Sequence, residues 1–288
     1  MTVIGTNVAS LRAANASTNA NAALSTAMQR LSTGQRINSA KDDAAGLAIS
    51  DTMTAQIRGM NQGIRNANDG IAMAQTAEGA LGEVSNMLQR VRELTVQATS
   101  GTYSTSDKAN MQAEVSALST QITSTLANTQ FNGNKLFDAS AGMVTAATAA
   151  PAPVAPAYST FKIQAGANAA DSVNVKFNKL TDDTTITNAT SIDLTTATNT
   201  ALATVDSALK TVSTYRAGLG AAQNQLQSAV NNLTTNSTNL TAAKSQITDA
   251  DFSSETTNLA KAQILSQAST AMLAQANQSQ QGVMKLLQ

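Results

Sequence analysis

The chain has no cysteine, no histidine and no tryptophan, only three prolines, and 3% aromatic residues. Without cysteine there is no disulfide and no thiol nucleophile. Without histidine the commonest metal ligand and general base are missing. No catalytic residue, metal or cofactor is expected. Lys plus Arg and Asp plus Glu both number 18, giving a formal net charge of zero. Nothing therefore marks a surface for nucleic acid or anionic lipid. No run of about 20 apolar residues occurs, so no membrane insertion is expected. Aromatic residues this scarce predict thin helical layers rather than a thick globular core. The stretch from Met1 to Asn7 carries no basic and apolar signal segment, which taken alone predicts a cytoplasmic protein.

What is present is helical periodicity. It is clearest in Leu202, Val205, Leu209, Val212, Arg216, Leu219, Gln223, Leu226, Val230, Leu233, Ser237, Leu240, Lys244 and Ile247, where every step is three or four residues. One row is apolar throughout, and the other is interrupted by Arg216, Gln223, Ser237 and Lys244. The pattern is a coiled-coil seam, on a rod of roughly 65–70 Å. A helix with one apolar stripe must bury it, so the rest of the chain has to supply the partner. The polar layers at Arg216 and Lys244 are predicted to fix register, and Arg216→Leu is predicted to raise the melting temperature.

A second rod runs from Met53 through Ile57, Met60, Ile64, Ala67, Ile71, Ala74, Ala77, Leu81, Val84, Leu88, Val91 and Thr95 to Ala98. Two consecutive steps of three at Ile71–Ala74–Ala77 predict local overwinding. A shorter antiparallel helix is predicted over 106–128, with Ser106 as its N-cap and Met111, Val115, Leu118, Ile122 and Leu126 along one face. Asn132-Gly133 predicts a hairpin turn. An Ala/Thr/Pro-rich linker covers 139–160. Two strands follow, Phe161–Gln164 and Val173–Phe177, and then a Thr-rich stretch over 181–200.

The two ends are thinner. Residues 6–32 suggest a helix with Ile4, Val8, Leu11, Leu24, Met28 and Leu31 on its seam, ended by Gly34. Ser39 is the expected N-cap of the next helix. A last helix is expected over 254–286, capped by Asp251, with Leu259, Ala262, Leu265, Ala268, Met272, Val283 and Leu286. Both are too sparsely apolar to persist alone, and each is the natural partner of the other. The adjacent Asp42 and Asp43 point in different directions on a helix and form no catalytic pair.

The expected fold is mainly α, with long antiparallel helical rods formed by the N- and C-terminal regions and a small β insert mid-chain. Three domains are expected. Residues 1–45 with 249–288 form a terminal coiled coil, 46–140 with 195–248 a helical rod core, and 141–194 an outer β and loop region.

Several long motifs resemble bacterial flagellins: "RLSTGQRINSAKDDAAGLAI", "NANDGIAMAQTAEGAL", "LQRVRELTVQA", "TQFNGNKLF", "FKIQAGANAADSV", "ALKTVSTYRAGLGAAQNQL" and "ITDADFSSETTNLAKAQILSQASTAMLAQANQ". They occur in family order and cover nearly everything outside about 138–160 and 178–198. The resemblance implies a subunit that polymerises into the flagellar filament and is no enzyme. No His-Glu-x-x-His protease insert is possible without histidine. The family implies terminal helices, here carrying Val8, Leu11, Leu24, Leu31, Leu259, Leu265, Met272 and Leu286, that are disordered in the monomer and fold on assembly. It implies unfolded export through the flagellum's own channel to an extracellular position, which replaces the cytoplasmic expectation. The implied partners are further copies of the chain, an export chaperone and export gate, the filament cap and hook-associated junction proteins. A vertebrate Toll-like receptor is implied as well, reading the monomer at positions matching Arg90, Leu94 and Glu114. The C-terminal Leu286-Leu287 resembles the end read by a cytosolic inflammasome sensor, although the chain finishes with Gln288 rather than the Arg common in the family. The alternative within the same superfamily is a junction protein between hook and filament.

Overall fold

The computed structural model describes residues 6–137, 158–168, 170–196 and 199–285. In chain order the elements are α1 (Val8–Thr33), α2 (Ala44–Thr99), α3 (Thr105–Asn128), β1 (Gln130–Phe131), β2 (Asn134–Lys135), β3 (Tyr158–Gln164), β4 (Ser172–Asn178), α4 (Thr184–Thr190), α5 (Asn199–Thr248) and α6 (Phe252–Lys285). The chain forms two compact units, one comprising residues up to Gln56 and from Thr238 onward, the other Ile57–Ser237.

In the first unit α1 and α6 run antiparallel. Asn7 Nδ2 donates to the Ala276 carbonyl at 3.1 Å, Ser266 Oγ to Asn21 Oδ1 at 2.9 Å, and Arg30 lies 3.9 Å from Glu255. Small residues are buried between the two helices: Ala20, Ala27, Ala262 and Ser269. This departs in part from the seam expected on sequence. Val8, Leu11 and Met28 on α1, and Leu265 and Met272 on α6, are all exposed. The seam alternates the small residues with half-buried leucines, Leu24 and Leu31 on α1 and Leu259 and Leu273 on α6, at heptad spacing. Leu24, Leu31 and Leu259 thus keep places on the expected seam. Ile4, Leu286 and Leu287 lie outside the described residues, as does most of the 139–160 linker.

Local signals explain the ends of these helices. The Asn7 side chain caps α1 by accepting from Ser10 N at 3.0 Å, and Gly34 closes it with φ 70°. Beyond Gly34 the chain pairs with the α5–α6 corner. Arg36 N donates to the Thr248 carbonyl at 2.7 Å, and Ala250 N to that of Gly34 at 3.0 Å. The cap of α2 is Asp43, which accepts from Gly46 N at 2.8 Å, rather than the expected Ser39. Ser39 is occupied elsewhere: its N–H and hydroxyl, with Asn38 N, all donate to Asp42. Asp251 caps α6 as expected, accepting from Ser253 N at 2.9 Å.

In the second unit α2 and α5 are also antiparallel. Arg92 Nε donates to Asp206 Oδ1 at 2.6 Å, Gln223 Nε2 to Glu78 Oε2 at 2.9 Å, and Ser237 Oγ to Asn61 Oδ1 at 3.3 Å. Helix α3 returns along α2. Its cap is Ser104, in a reciprocal capping box with Asp107, rather than Ser106. Leu81, Val84, Leu88 and Val91 of α2, Val115 and Ile122 of α3, and Val205, Val212 and Leu226 of α5 are fully buried.

The buried rows of α5 correct one detail. Ala208 is fully buried and Tyr215 half-buried against an exposed Arg216, so over this stretch the second row runs one residue ahead of Leu209 and Arg216, while at the buried Ser237 it follows the expected row. The Arg216 side chain is 43% exposed and only flanks the core, with Nη2 3.8 Å from Glu78 Oε1. Arg216→Leu is therefore expected to leave the melting temperature within about 2 °C of the parent by calorimetry, because exposed substitutions and exposed pairs change stability little.

Asn132 (φ 49°) and Gly133 (φ 78°) make the expected turn between β1 and β2. The second hairpin, β3–β4, is antiparallel with Phe161 opposite Val175 and Ile163 opposite Val173. Val173, Val175 and Phe177 share its buried face. The hairpin lies along a small-residue stripe of α2. Asn66 Nδ2 donates to the Gln164 carbonyl at 3.0 Å, and a Cβ at Gly63 would come within 2.8 Å of the Ala165 carbonyl carbon. Helix α4 was not expected within the Thr-rich stretch. Asp183 caps it, accepting from Thr185 N at 2.9 Å, and also accepts from Tyr215 OH at 3.1 Å.

Two predictions concern stability. Gly79 and Gly82 on α2, and Gly218 and Gly220 on α5, lie in helix interiors where an added Cβ would meet nothing within 4 Å. Each Gly→Ala change there is expected to raise stability by about 0.4–1 kcal/mol in urea titrations. The second concerns pH. Bonds from Asn38 and Ser39 hold Asp42 below the usual carboxylate range, and bonds from Ser104 do the same for Asp107. A depressed folded-state pKa gives stability that is present above the unfolded value, about 3.9, and lost as pH falls through the lower folded value. With no histidine in the chain, the melting temperature is expected to stay nearly level from about pH 5.5 to 8 and to fall below about pH 4. An Asp42→Asn, Asp107→Asn double variant should show a shallower acid fall.

Candidate assembly surface

The α1–α6 pair presents apolar side chains to solvent on both helices. Val8, Leu11 and Met28 stand out from α1, and Phe252, Ile264, Leu265 and Met272 from α6; of these Phe252, Ile264 and Met272 are more than 60% exposed. The intrachain seam runs through Ala20, Leu24, Ala27 and Leu31 of α1 and Leu259, Ala262, Ser269 and Leu273 of α6, and these exposed side chains lie off it. Exposed apolar groups gathered on one structural element mark an interaction surface. Such a surface can bury apolar area against a partner. Among the described residues no group of three or more His, Cys, Asp or Glu could hold a metal, and no helix is long and apolar enough to cross a membrane.

The α5 seam residues divide by depth. Val205, Val212, Leu219 and Leu226 are buried, and Leu202, Leu209, Val230, Leu233, Leu240 and Ile247 are half-buried.

A charged strip lies on the second unit. Arg90 Nε donates to Glu114 Oε1 at 2.8 Å and its Nη1 to Glu93 Oε2 at 2.9 Å. The bond to Glu114, then that to Glu93, holds the Arg90 guanidinium above its ordinary pKa, and Asp206 does the same for Arg92. Leu94 does not share this surface. It is 2% exposed and sits in the core with Val91, Ala98, Met111, Val115 and Val205. Arg90 and Glu114 are thus joined on the surface while Leu94 supports the helix from within. Glu93 was missed on sequence, although its spacing of three from Arg90 on a helix is a usable signal.

Residues 4–141 match the family model described as the bacterial flagellin N-terminal helical region, and residues 202–287 match the bacterial flagellin C-terminal helical region. The chain is 42% identical over 310 residues to the flagellin of Bacillus subtilis (strain 168), covering 99% of both chains. It is 37% identical over 294 residues to the flagellar filament 33 kDa core protein of Treponema phagedenis, again covering 99% of both. Among solved structures, the crystal structure of Bacillus cereus flagellin is 27% identical, with a TM-score of 0.48, covering 62% of this chain and 94% of that one. With both helical regions matched and relatives aligned along nearly their full length, this chain belongs to the flagellin family.

Proposed function

We propose that this chain is the structural subunit of an extracellular flagellar filament, polymerising through its terminal helices. The observation that carries this is the set of large apolar side chains that α1 and α6 leave exposed, Val8, Leu11 and Met28 on one and Phe252, Ile264, Leu265 and Met272 on the other. Head-to-tail contacts that do not close a ring generate an open helical polymer, and apolar area on both helices gives each copy something to bury against the next. In this reading the subunit leaves the cell unfolded through the flagellum's own channel, a passage suited to a chain without disulfides. The terminal helices then order only when a growing tip supplies the partner surface. An export chaperone holds the C-terminal segment beforehand, and the filament cap and hook-associated proteins bound the polymer. Recognition of the monomer by a vertebrate Toll-like receptor would use the Arg90–Glu114 pair, with Leu94 holding the helix that presents it.

The test is seeded growth. Monomer isolated by size exclusion is mixed with short filament seeds and followed by negative-stain electron microscopy. Filaments of uniform width extending from seed ends are expected. Persistent monomers or short rods would overturn the reading and point to a junction protein between hook and filament.

A further inference from the structure

The chain has ten methionines and no cysteine, so methionine is its only sulfur. Among the described residues these methionines differ sharply in exposure. Met60, Met73 and Met111 are buried and Met53 and Met87 half-buried, whereas Met28 is 52% exposed and Met272 is 63% exposed. Both exposed methionines lie on the α1–α6 pair, one on each helix, among the outward apolar side chains.

From this placement we infer that Met28 and Met272 are oxidation sites through which peroxide controls assembly. The inference rests on the proposed role of this surface in polymerisation. The chemistry needs no cofactor. The thioether sulfur attacks the peroxide oxygen, the O–O bond breaks, and sulfoxide and water result, the sulfur being oxidised by two electrons and the peroxide reduced by two. The product replaces a flexible apolar side chain with a polar, chiral one. In the free subunit the sulfoxide faces water and costs the fold little. In the polymer it would be carried into an apolar contact, where a strong acceptor without a donor is unfavourable. Oxidation therefore acts on assembly rather than on folding. The same argument gives a footprint, because both sulfurs become protected once the surface is covered.

The experiment uses the full chain and hydrogen peroxide. Monomer and seeded filaments are treated in parallel, oxidation is mapped by peptide mass spectrometry, and elongation from seeds is followed by light scattering. Met28 and Met272 in the monomer are expected to oxidise at least tenfold faster than Met60, Met73 and Met111, and both are expected to be protected in the filament. Elongation of the treated monomer is expected to slow several-fold, with its circular dichroism unchanged. Leucine is close in volume and helix propensity, so a Met28→Leu, Met272→Leu variant, compared with its own untreated rate, is expected to elongate equally fast before and after peroxide. Full oxidation at both sites with an unchanged rate overturns the inference. So does a Leu variant that still elongates untreated but slows as much as the parent after peroxide. Failure of the untreated parent to extend seeds is a different result and overturns the proposed function itself.

Discussion

Removing residues 254–288 is expected to abolish extension of filament seeds, the rate falling at least about a hundredfold, while Ile57–Ser237 keeps its cooperative melting transition. The basis is the composition of the α1–α6 contact. Helix α1 buries only Ala20 and Ala27, and both depend on α6 for cover. Isolated helices with so little apolar burial are marginal in water, so without α6 the first helix frays. The truncation also removes Ile264, Leu265 and Met272, three of the outward apolar side chains. The second unit takes nothing from α6 for its own core, which is built from α2, α3, α5 and the β3–β4 hairpin. The two readouts therefore separate. Circular dichroism of the truncated subunit should retain the main thermal transition. A truncated chain that still extends seeds at the parental rate would show that the terminal helices are not the assembly element.

Phe177→Ala is expected to produce the largest loss of stability of any single truncation in the β insert, about 3–5 kcal/mol. The ring is 2% exposed and meets Phe161 edge to face, with centroids 5.4 Å apart. It belongs to the same cluster as Leu81, Phe137, Leu180 and Leu219, so it joins the hairpin to all the main helices of the unit. A cavity there cannot close by moving one side chain, because its walls come from separate elements. Domains of this kind hold about 5–15 kcal/mol in total, so the variant should unfold at markedly lower urea and show a much lower melting temperature. Phe177→Leu fills part of the space and should cost well under half as much. If Phe177→Ala costs less than about 1 kcal/mol, a typical change for any point mutant, the hairpin does not unfold with the helical core.

The long rods were readable because leucine, valine and isoleucine repeat at helical spacing without a slip, and burial at Leu81, Leu88, Val212 and Leu226 follows that spacing. Asn132-Gly133 was readable because few residue pairs tolerate two successive positive φ values. The α1–α6 seam was readable only in part. Among its buried residues are alanine and serine, whose hydrophobic signal barely differs from that of the surrounding helix. Leu24, Leu31, Leu259 and Ala262 of the expected row do lie on it, whereas Val8, Leu11 and Met272, picked for their apolar character, face outward. The same bias shifted the second row of α5 by one residue around Ala208, since Leu209 looks more apolar. Helix α4 is too short, with only Ile186 and Ala189 buried, to show a period. The glycines of α2 under the hairpin answer a contact about a hundred residues away, Gly63 with Ala165, and nothing local announces it. For the charged strip, Arg90 and Glu114 were singled out only through the family resemblance, and the inward turn of Leu94 depends on where the α2 stripe points.

The anchoring of the β3–β4 hairpin bears on how this chain could change over evolution. Leu136 and Phe137 are buried on one side of the stretch 138–157, and on the other side Tyr158 is already held in the ladder opposite Asn178. Each end is fixed by contacts that do not pass through the stretch itself. Flexible residues added between two fixed ends cost a closure entropy that grows with the logarithm of their number, about 0.6 kcal/mol for each doubling. Lineages can lengthen, shorten or rewrite the sequence there while the helical scaffold and its geometry stay constant. A change in the length between Phe137 and Tyr158 would therefore place little demand on the contacts that hold those two residues.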